Sequence, residues 1–424
     1  MYPSSLFLNF LLKSLSSFDT MAFHTKHVSL LNLKECPTAE GEFFMKELNA
    51  VFLHSPELDK GGYPDECPFN TRRAGKMRNT IYTMGLLGGK RRKEVPPERA
   101  ARSELEKFHH PAYLDAIKNA EAGDLTPDAF AMGIGTPDCP VFRGMYDYIS
   151  LASGASLTGA RLILSGETSV AFNPSGGFHH AGPEKASGFC FVNDVVLAAM
   201  LLADSKKKVL FLDLDVHHGD GVQDAFYERS DVMTISMHES GKTLFPGTGF
   251  EDETGRGAGE GYCVNLPLPV GTYEEAYKRA FDEAVLPLII KYNPDVFIME
   301  LGMDALSGDP LAHLNLTNNV YVDIINSILE QEKPVLATGG GGYNVESTVR
   351  AWALAWSALC GEEEHDLGIG LGGVMLENTE WAGGLRDRTL ITDAGIRDTV
   401  DAEIQRVTQY IKDNVFPLHG LSQK

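Results

Sequence analysis

A regular alternation of short apolar segments with helical segments, which begins at Ser169, constrains the fold of this chain more than any other feature. Strands are predicted at 169–172, 209–214, 232–237, 296–301 and 335–338, and helices at 191–203, 273–292, 319–330 and 345–359. Strands that alternate with helices of this length are typical of a parallel sheet, and a parallel sheet is covered by helices on both faces. We therefore predict an α/β fold.

The rest of the chain has a less regular pattern. Residues 40–110 are rich in Gly, Pro and charged side chains and are predicted as loops around short helices, with no strand after Val51. Further helices are predicted at 105–122, 146–164 and near 402–415. We divide the chain into a tail or alternative-start segment, 1–20, and a single domain, 21–424. The domain has a motif-bearing core at about 105–360 and a C-terminal helical segment at about 400–416.

The composition limits the classes of function. The chain has 37 Lys and Arg against 58 Asp and Glu, a net charge of −21, which argues against direct nucleic-acid binding and tolerates a cationic substrate. The six cysteines form no CxxC pair, so neither a thiolate zinc site nor a disulfide framework is indicated. No apolar run reaches the roughly 18 residues of a membrane span. We expect a cytoplasmic protein that does not bind membranes, and leave open its delivery to another compartment or host cell.

The segment 209–221, VLFLDLDVHHGDG, brings a polar cluster to the end of an apolar strand. Asp213, Asp215 and His217 share one face because side chains along a strand alternate. With Asp304, which follows another strand, Asp215 and His217 would supply two carboxylates and one imidazole and leave a position for water, as in a catalytic zinc site. A lone Asp or His there would as readily form a turn or cap a helix. The density of acids and histidines favours a metal site.

A general base is also required, because two carboxylate ligands leave metal-bound water less acidic than an all-histidine site does. His179 and His180, adjacent on a Gly-rich turn, are the candidates because imidazole titrates near neutral pH. Asp213 and Asp220 are the acids available to fix their tautomers. Tyr343 follows four glycines and could donate its hydroxyl to a developing oxyanion. Ordinary loop histidines and a packed tyrosine are the alternatives.

Six segments occur in a characteristic order between about residues 105 and 360: GGFHHA, ASGFCFVND, LDLDVHHGDGVQDAF, SMHES with LFPGTG, DPLAHLNLT and GGGGYN. Together they resemble the zinc-dependent histone deacetylase family, nearest to its class I and bacterial acetoin-utilisation deacetylase branches. The resemblance implies an arginase/deacetylase-like fold, a three-layer α/β/α arrangement with a single, mainly parallel eight-stranded sheet. It also implies hydrolysis of acyl-lysine, acetyl or longer, to lysine and a carboxylate through metal-activated water.

The resemblance assigns roles residue by residue. Zn²⁺, with Fe²⁺ as an alternative ion, would be bound by Asp215, His217 and Asp304. Asp213 would pair with His179, and Asp220 with His180. His180 would act as general base and then as general acid, whereas His179 would give electrostatic support. Tyr343 would polarise the amide carbonyl.

The resemblance also implies two further sites. The channel for the lysine stem would be lined by Gly188, Phe189 and Phe245, with Leu311 at its rim and Asp138 holding the substrate backbone. A structural K⁺ would be bound by carbonyl groups around Asp213, Asp215 and His217, together with Ser236 and Met237. Arg73 is a candidate for the arginine of the family's internal channel.

Three departures from the family pattern leave the acyl-chain preference open: Phe178 replaces Trp or Leu, Leu244 replaces an aromatic residue, and Met303 replaces Ala. The expected partner is an acyl-lysine protein or peptide, with histones among the candidates, and the oligomeric state is open. Three alternatives remain. They are an acetylpolyamine amidohydrolase that uses the same site, a dimanganese hydrolase of the arginase type, which needs a second set of acid ligands, and a catalytically silent acyl-lysine-binding module.

Overall fold

Eight strands form one sheet within residues 49–60, 62–362 and 384–422, which are the residues that the structure, a computed structural model, describes. They are β1 (Ala50–Leu53), β2 (Arg92–Val95), β3 (Val170–Asn173), β4 (Val209–Asp213), β5 (Val232–Glu239), β6 (Cys263–Leu268), β7 (Val296–Glu300) and β8 (Val335–Thr338). The strand order is β2-β1-β3-β8-β7-β4-β5-β6, and every neighbouring pair is parallel. The predicted fold class is confirmed, and the sheet is wholly rather than mainly parallel.

Twelve α-helices accompany the sheet in the described ranges. They are α1 (Arg73–Thr83), α2 (Arg102–Leu105), α3 (Pro111–Glu121), α4 (Pro127–Ala131), α5 (Met145–Leu164), α6 (Asp194–Asp204), α7 (Asp220–Phe226), α8 (Glu274–Ala280), α9 (Leu286–Tyr292), α10 (Asn318–Leu329), α11 (Val345–Leu359) and α12 (Ala394–Asn414). A π-helical turn, Phe281–Val285, connects α8 to α9, and short 3₁₀ helices lie at Gly257–Gly259 and Phe416–His419. None of the described helices is long and apolar enough to cross a membrane.

The central strand β4 shows why the protein has three layers. Its side chains point alternately to the two faces of the sheet, and all of its residues are buried. Leu210 and Leu212 pack into an apolar core that contains residues of α1 and of α8 to α12. Val209 and Phe211 pack into a second core with residues of α5, α6 and α7. An apolar strand of this kind requires helices on both sides.

Several predicted element boundaries were wrong. Strand β2 was missed because three of its four residues, RKEV, are charged and none of the four is buried. The helix predicted at 191–203 begins at Asp194, because the side chain of Asn193 caps it by accepting a hydrogen bond from the Val196 N–H. The helix predicted at 105–122 is divided, and α3 begins at Pro111, which is favoured at a first helical position.

The C-terminal helix also differs from the prediction. Helix α12 begins at Ala394, eight residues before the predicted start at 402, and the Asp393 carboxylate caps it. The predicted tail, 1–20, lies outside the described residues, as do 21–48, 363–383 and three single or terminal positions of the predicted domain. The predicted division into a tail and one domain therefore stays a prediction.

Candidate active site

The candidate site lies where the carboxyl ends of β3, β4, β7 and β8 meet, which is the edge at which parallel sheets bind ligands. The histidine pair follows β3, and Asp215 and His217 follow β4. Asp304 follows β7, and Tyr343 follows β8. Because these strands are neighbours in the order β3-β8-β7-β4, residues distant in sequence come together.

Asp215, His217 and Asp304 form one compact group of potential metal ligands. Nδ1 of His217 lies 3.1 Å from Oδ1 of Asp215 and 3.0 Å from Oδ2 of Asp304. The three donor atoms lie within 4.8 Å of one another, and all three residues are buried. The carboxylates are fixed by backbone N–H groups, since Gly341 donates to Oδ2 of Asp215 at 2.6 Å and Val216 donates to Oδ1 of Asp304 at 3.0 Å.

The electrostatics of this group fit a divalent cation. Burial and the adjacent Asp215 raise the pKa of Asp304 to about 7, so the pocket resists holding both negative charges. Burial opposes the charged form of His217, but hydrogen bonds to Asp215 and Asp304 outweigh it and raise its pKa to about 10. A divalent ion would supply the positive charge that the two carboxylates attract, and two oxygens with one imidazole nitrogen are a common catalytic ligand set.

Two glycines allow the backbone to approach these carboxylates. A Cβ atom on Gly302 would lie 2.0 Å from Oδ2 of Asp215, and one on Gly341 would lie 1.9 Å from Oδ2 of Asp304. Both distances are far below van der Waals contact. The glycines in LGMD and GGGGYN therefore leave room for the carboxylates as well as permitting a turn.

The two histidines face each other, and each has an acidic neighbour. Their Nε2 atoms are 3.0 Å apart. Nδ1 of His179 lies 3.2 Å from Oδ2 of Asp213, and Nδ1 of His180 lies 2.8 Å from Oδ1 of Asp220. Since Nδ1 of His180 donates to Asp220, its Nε2 holds a lone pair when the ring is neutral.

The pKa values of the two histidines are shifted in opposite directions. Burial and the positive charge of His179 lower the pKa of His180 to about 4, against the effect of Asp220. Burial also opposes a charge on His179, but Glu300 and Asp213 outweigh it, so the pKa of His179 lies well above its ordinary value. Near neutral pH, in the absence of a bound cation, His179 is charged and His180 is neutral.

The histidine turn is anchored by two residues at the start of α6 that the sequence analysis did not single out. Nδ2 of Asn193 donates to the carbonyl oxygens of His179 and Ala181 at 3.2 and 3.1 Å. The buried carboxylate of Asp194 accepts hydrogen bonds from the N–H groups of Gly177 and Phe178. The signal was present in FVND, where two polar residues follow an apolar pair at a helix start.

Tyr343 is positioned by its backbone. Its N–H donates to Oδ2 of Asp309 at 2.7 Å, and its ring centre lies 6.3 Å from that of His217. Burial and the nearby Asp304 raise its pKa well above the ordinary value, so its hydroxyl keeps its proton. The buried Arg73 donates hydrogen bonds to the carbonyl oxygens of Gly342 and Gly340 at 2.6 and 2.9 Å. These bonds hold the glycine loop that precedes Tyr343.

Some of the predicted channel residues lie next to His180 and Tyr343, and others do not. The ring of Phe245 lies 5.0 Å from that of His180, and the ring of Phe189 lies 5.7 Å from that of Tyr343. A Cβ on Gly188 would lie 2.4 Å from His180, so a side chain there would collide with the base. Leu311 is linked indirectly, because its N–H donates to the same Asp309 that holds Tyr343. Asp138 is exposed on the loop between α4 and α5.

Two of the predicted monovalent-cation residues, Asp215 and His217, belong to the metal group described above, and the other three, Asp213, Ser236 and Met237, lie on the neighbouring strands β4 and β5. Asp213 and Ser236 are paired in the strand register, and Oγ of Ser236 lies 3.3 Å from Oδ2 of Asp213. Met237 follows Ser236 and is fully buried. Asp213 therefore links Ser236 to the histidine pair, and the cation site itself stays a prediction.

Glu300 was missed by the sequence analysis. It is the last residue of β7, is fully buried, and places Oε1 3.1 Å from Nδ1 of His179. The available signal was an acid at the end of the apolar run VFIME, as at the end of β4.

Comparison with known proteins decides the family. The model of the histone deacetylase domain matches residues 67–359. Histone deacetylase 8 of Xenopus tropicalis is 38% identical over 320 residues, which cover 74% of this chain and 85% of that protein. The acetoin utilization protein AcuC of Bacillus subtilis is 38% identical over 321 residues, which cover 74% and 82%. The chain belongs to the histone deacetylase family.

The solved structures agree with this assignment. The crystal structure of a histone deacetylase homologue from Aquifex aeolicus matches with a TM-score of 0.73 and 29% identity, over 85% of this chain and 100% of that one. The protein therefore has the arginase/deacetylase fold, and it is a hydrolase with deacetylase activity. The family is generally metal-dependent, and this deacetylase has buried ligand groups suited to a metal ion.

Proposed function

We propose that the deacetylase hydrolyses acyl-lysine side chains of proteins or peptides, histones among them, with Zn²⁺ bound by Asp215, His217 and Asp304; Fe²⁺ is the alternative ion. The observation that carries this proposal is the group of two buried carboxylates and one imidazole beside a histidine pair. A bound divalent ion would act as a Lewis acid toward water and the acyl carbonyl.

In the proposed mechanism, one side chain transfers the proton of the water molecule, and two others stabilise the negative charge that develops. His180 accepts it at Nε2 while Asp220 holds Nδ1, and then delivers it to the leaving amine. The charged His179 stabilises negative charge as it develops, and Asp213 fixes its ring. The Tyr343 hydroxyl donates to the oxyanion.

The aromatic rings beside the cluster support a lysine substrate. Phe189 and Phe245 present apolar surface next to Tyr343 and His180, as a methylene stem would require. Phe245 is 41% exposed, so its ring is accessible from solvent. Asp138, which is exposed, would accept hydrogen bonds from substrate backbone amides. Behind the cluster, K⁺ would be held at Asp213, Ser236 and Met237 and would stabilise the strand ends.

The test is the Tyr343→Phe variant, assayed on an acetyl-lysine peptide. Loss of one oxyanion donor should lower turnover on the order of 10² to 10³-fold. Metal content should stay that of the native enzyme, since the phenol is not a proposed ligand. Full activity in the variant would refute the role of Tyr343.

A second assay tests acyl preference with a series of lysine peptides carrying acetyl to longer acyl groups. Met303 precedes the proposed ligand Asp304, Phe178 precedes His179, and both are buried, at 1% and 2% exposure. We expect the preferred chain length to change when Met303 is replaced by Ala. An identical preference in native and variant enzyme would remove Met303 from the acyl pocket.

A further inference from the structure

Glu239, the last residue of β5, is a buried carboxylate that the proposed mechanism does not use. Its Oε2 accepts a hydrogen bond from the N–H of His313 at 2.9 Å, and its Oε1 lies 3.0 Å from both Nδ1 of His313 and Oγ1 of Thr243. Its own N–H donates to the carbonyl oxygen of Val216, next to the proposed ligand His217, at 2.8 Å. These contacts join the segment that carries the metal ligand to two other loops.

The two loops carry residues of the proposed lysine channel. Thr243 shortly precedes Phe245 in the loop after β5, and the ring of Phe245 is 41% exposed. His313 shortly follows Leu311, the proposed rim residue, in the loop after β7. Glu239 therefore holds the two loops together at the place where the proposed channel opens to solvent.

The imidazole of His313 is exposed, although its partner is buried. The side chain of His313 is 58% exposed, and that of Glu239 is 0% exposed. Because a carboxylate accepts hydrogen bonds, Nδ1 of His313 carries the proton, and Nε2 of the neutral ring then has a lone pair. Within the described parts of the chain, Nε2 makes no hydrogen bond and is not buried, so it faces solvent. A buried carboxylate thus fixes an exposed ring that presents an acceptor nitrogen.

We infer that His313 binds a residue that flanks the acyl-lysine and selects Lys or Arg there, and that Glu239 is the positioning residue that fixes its ring. The lone pair of Nε2 accepts a hydrogen bond, and the negative charge of Glu239 on the other side of the ring strengthens its attraction for a cationic donor. The inference rests on the proposed function, because the proposed channel places the acyl-lysine between Phe245 and Leu311.

The charges of the chain also favour a cationic neighbour. The net charge is −21, and Asp138, the proposed contact for the substrate backbone, is an acid as well. The loop after β5 contains one exposed cation, Lys242, but it interacts electrostatically with the carboxylates of Glu251 and Glu403. Its charge is therefore offset, and a Lys or Arg of the substrate would meet little repulsion from it.

The test compares acetyl-lysine peptides that differ at one flanking position, which carries either Arg or norleucine, an apolar side chain of similar length. At one of these positions the native enzyme should show a kcat/KM about tenfold higher for the Arg peptide, mainly through a lower KM, as one charge-assisted hydrogen bond would give. His313→Asn should abolish the difference, because its amide can still donate to Glu239 but has no atom in the place of Nε2. Equal values for the two peptides at every flanking position of the native enzyme would overturn the inference, even if the variant fails to fold.

His110→Asn is the matched control. The side chain of His110 is also 58% exposed, and its Nδ1 lies 3.9 Å from Oε1 of Glu184, but this acid is exposed and the pair lies at the start of α3. The control should keep the Arg preference, and its loss in both variants would overturn the role of His313. Glu239→Gln should reduce the preference in part, since the amide keeps the shape of the carboxylate and loses its charge. An unchanged preference in Glu239→Gln would refute the positioning role.

The outcome is separable from that of the proposed function. Equal hydrolysis of all the peptides would refute the role of His313 while supporting the hydrolysis of acyl-lysine. If no acetyl-lysine peptide is hydrolysed, the proposed substrate is refuted, and calorimetry then decides the inference. Tighter binding of the Arg peptide, lost in His313→Asn, would support it, and equal binding of the Arg and norleucine peptides would refute it.

Discussion

His179 and His180 are adjacent and chemically identical, yet their surroundings give them different charges. His179 faces the carboxylates of Asp213 and Glu300, which raise its pKa. His180 faces only Asp220 and lies against its charged neighbour, and its pKa falls to about 4. A neutral ring with a free lone pair can accept a proton, whereas a charged ring can only stabilise negative charge. The proposed division of labour follows from this difference.

Single substitutions of the two histidines should therefore have unequal effects. His180→Gln should lower kcat by about 10² to 10⁴-fold, because it removes the proposed base and acid. His179→Gln should lower kcat less, because it removes charge stabilisation and leaves the base. Steady-state kinetics on an acetyl-lysine peptide would measure both, with thermal melting to verify folding. Equal losses, or a larger loss in His179→Gln, would reverse the proposed roles.

Helix α6 contributes no proposed metal ligand to the site, but its N-terminus holds the histidine turn in place. Asn193 caps the helix with its side-chain oxygen and holds the histidine turn with its side-chain nitrogen. The neighbouring buried His109 accepts a hydrogen bond from the Asn193 N–H at 3.0 Å, which fixes this cap from the other side. The position of the histidine pair thus depends on a helix that contains neither histidine.

Asn193→Ala should therefore reduce both stability and activity. Loss of the cap should lower the free energy of unfolding by about 1 kcal/mol or more, and the freed turn should lower kcat. Thr126→Ala is the control, since Thr126 caps α4 by accepting a hydrogen bond from the Ala129 N–H at 3.1 Å. It should lose similar stability and keep its activity. Denaturant unfolding and kinetics would measure both, and an Asn193→Ala enzyme with native kcat would refute the coupling.

The molecule as a whole is organised by the order of its strands, and this limits what its sequence can predict. The alternation of apolar strands and helices predicts the α/β class, because burial on both faces leaves few other arrangements. The polar edge strand β2 has no such signal. The dense segment 209–221 indicates the Asp215–His217 half of the metal group, since both residues directly follow one strand.

Contacts between different strands are harder to predict. Strand β7 lies beside β4, and in their ladder Glu300 is the register partner of Asp213. Glu300 therefore lies near His179, which also contacts Asp213. Neither the order nor the register can be read from one strand alone. Asp304 was assigned to the site because it follows another strand, and the family resemblance implied the same role, but neither argument included Glu300.

The strand order also gathers negative charge at one edge of the sheet, so removal of the metal should destabilise the whole molecule. The pKa of Asp304 is about 7 in the folded protein, above its ordinary value of 3.8, because of burial and Asp215. An acid of this kind binds more protons when folded than when unfolded. The metal-free protein should therefore lose stability as the pH rises from about 4 to about 7.

A bound cation should offset this loss. A cation present at 100 times its Kd adds about 2.7 kcal/mol to the free energy of unfolding. Melting temperatures measured with Zn²⁺ and with a chelator should differ little at pH 5 and by several degrees at pH 8, where the carboxylates are ionised. In Asp304→Asn the chelator effect at pH 8 should shrink, since the buried charge and the ligand are both removed. An equal effect of the chelator at the two pH values in the native protein would show that the carboxylate cluster does not control stability.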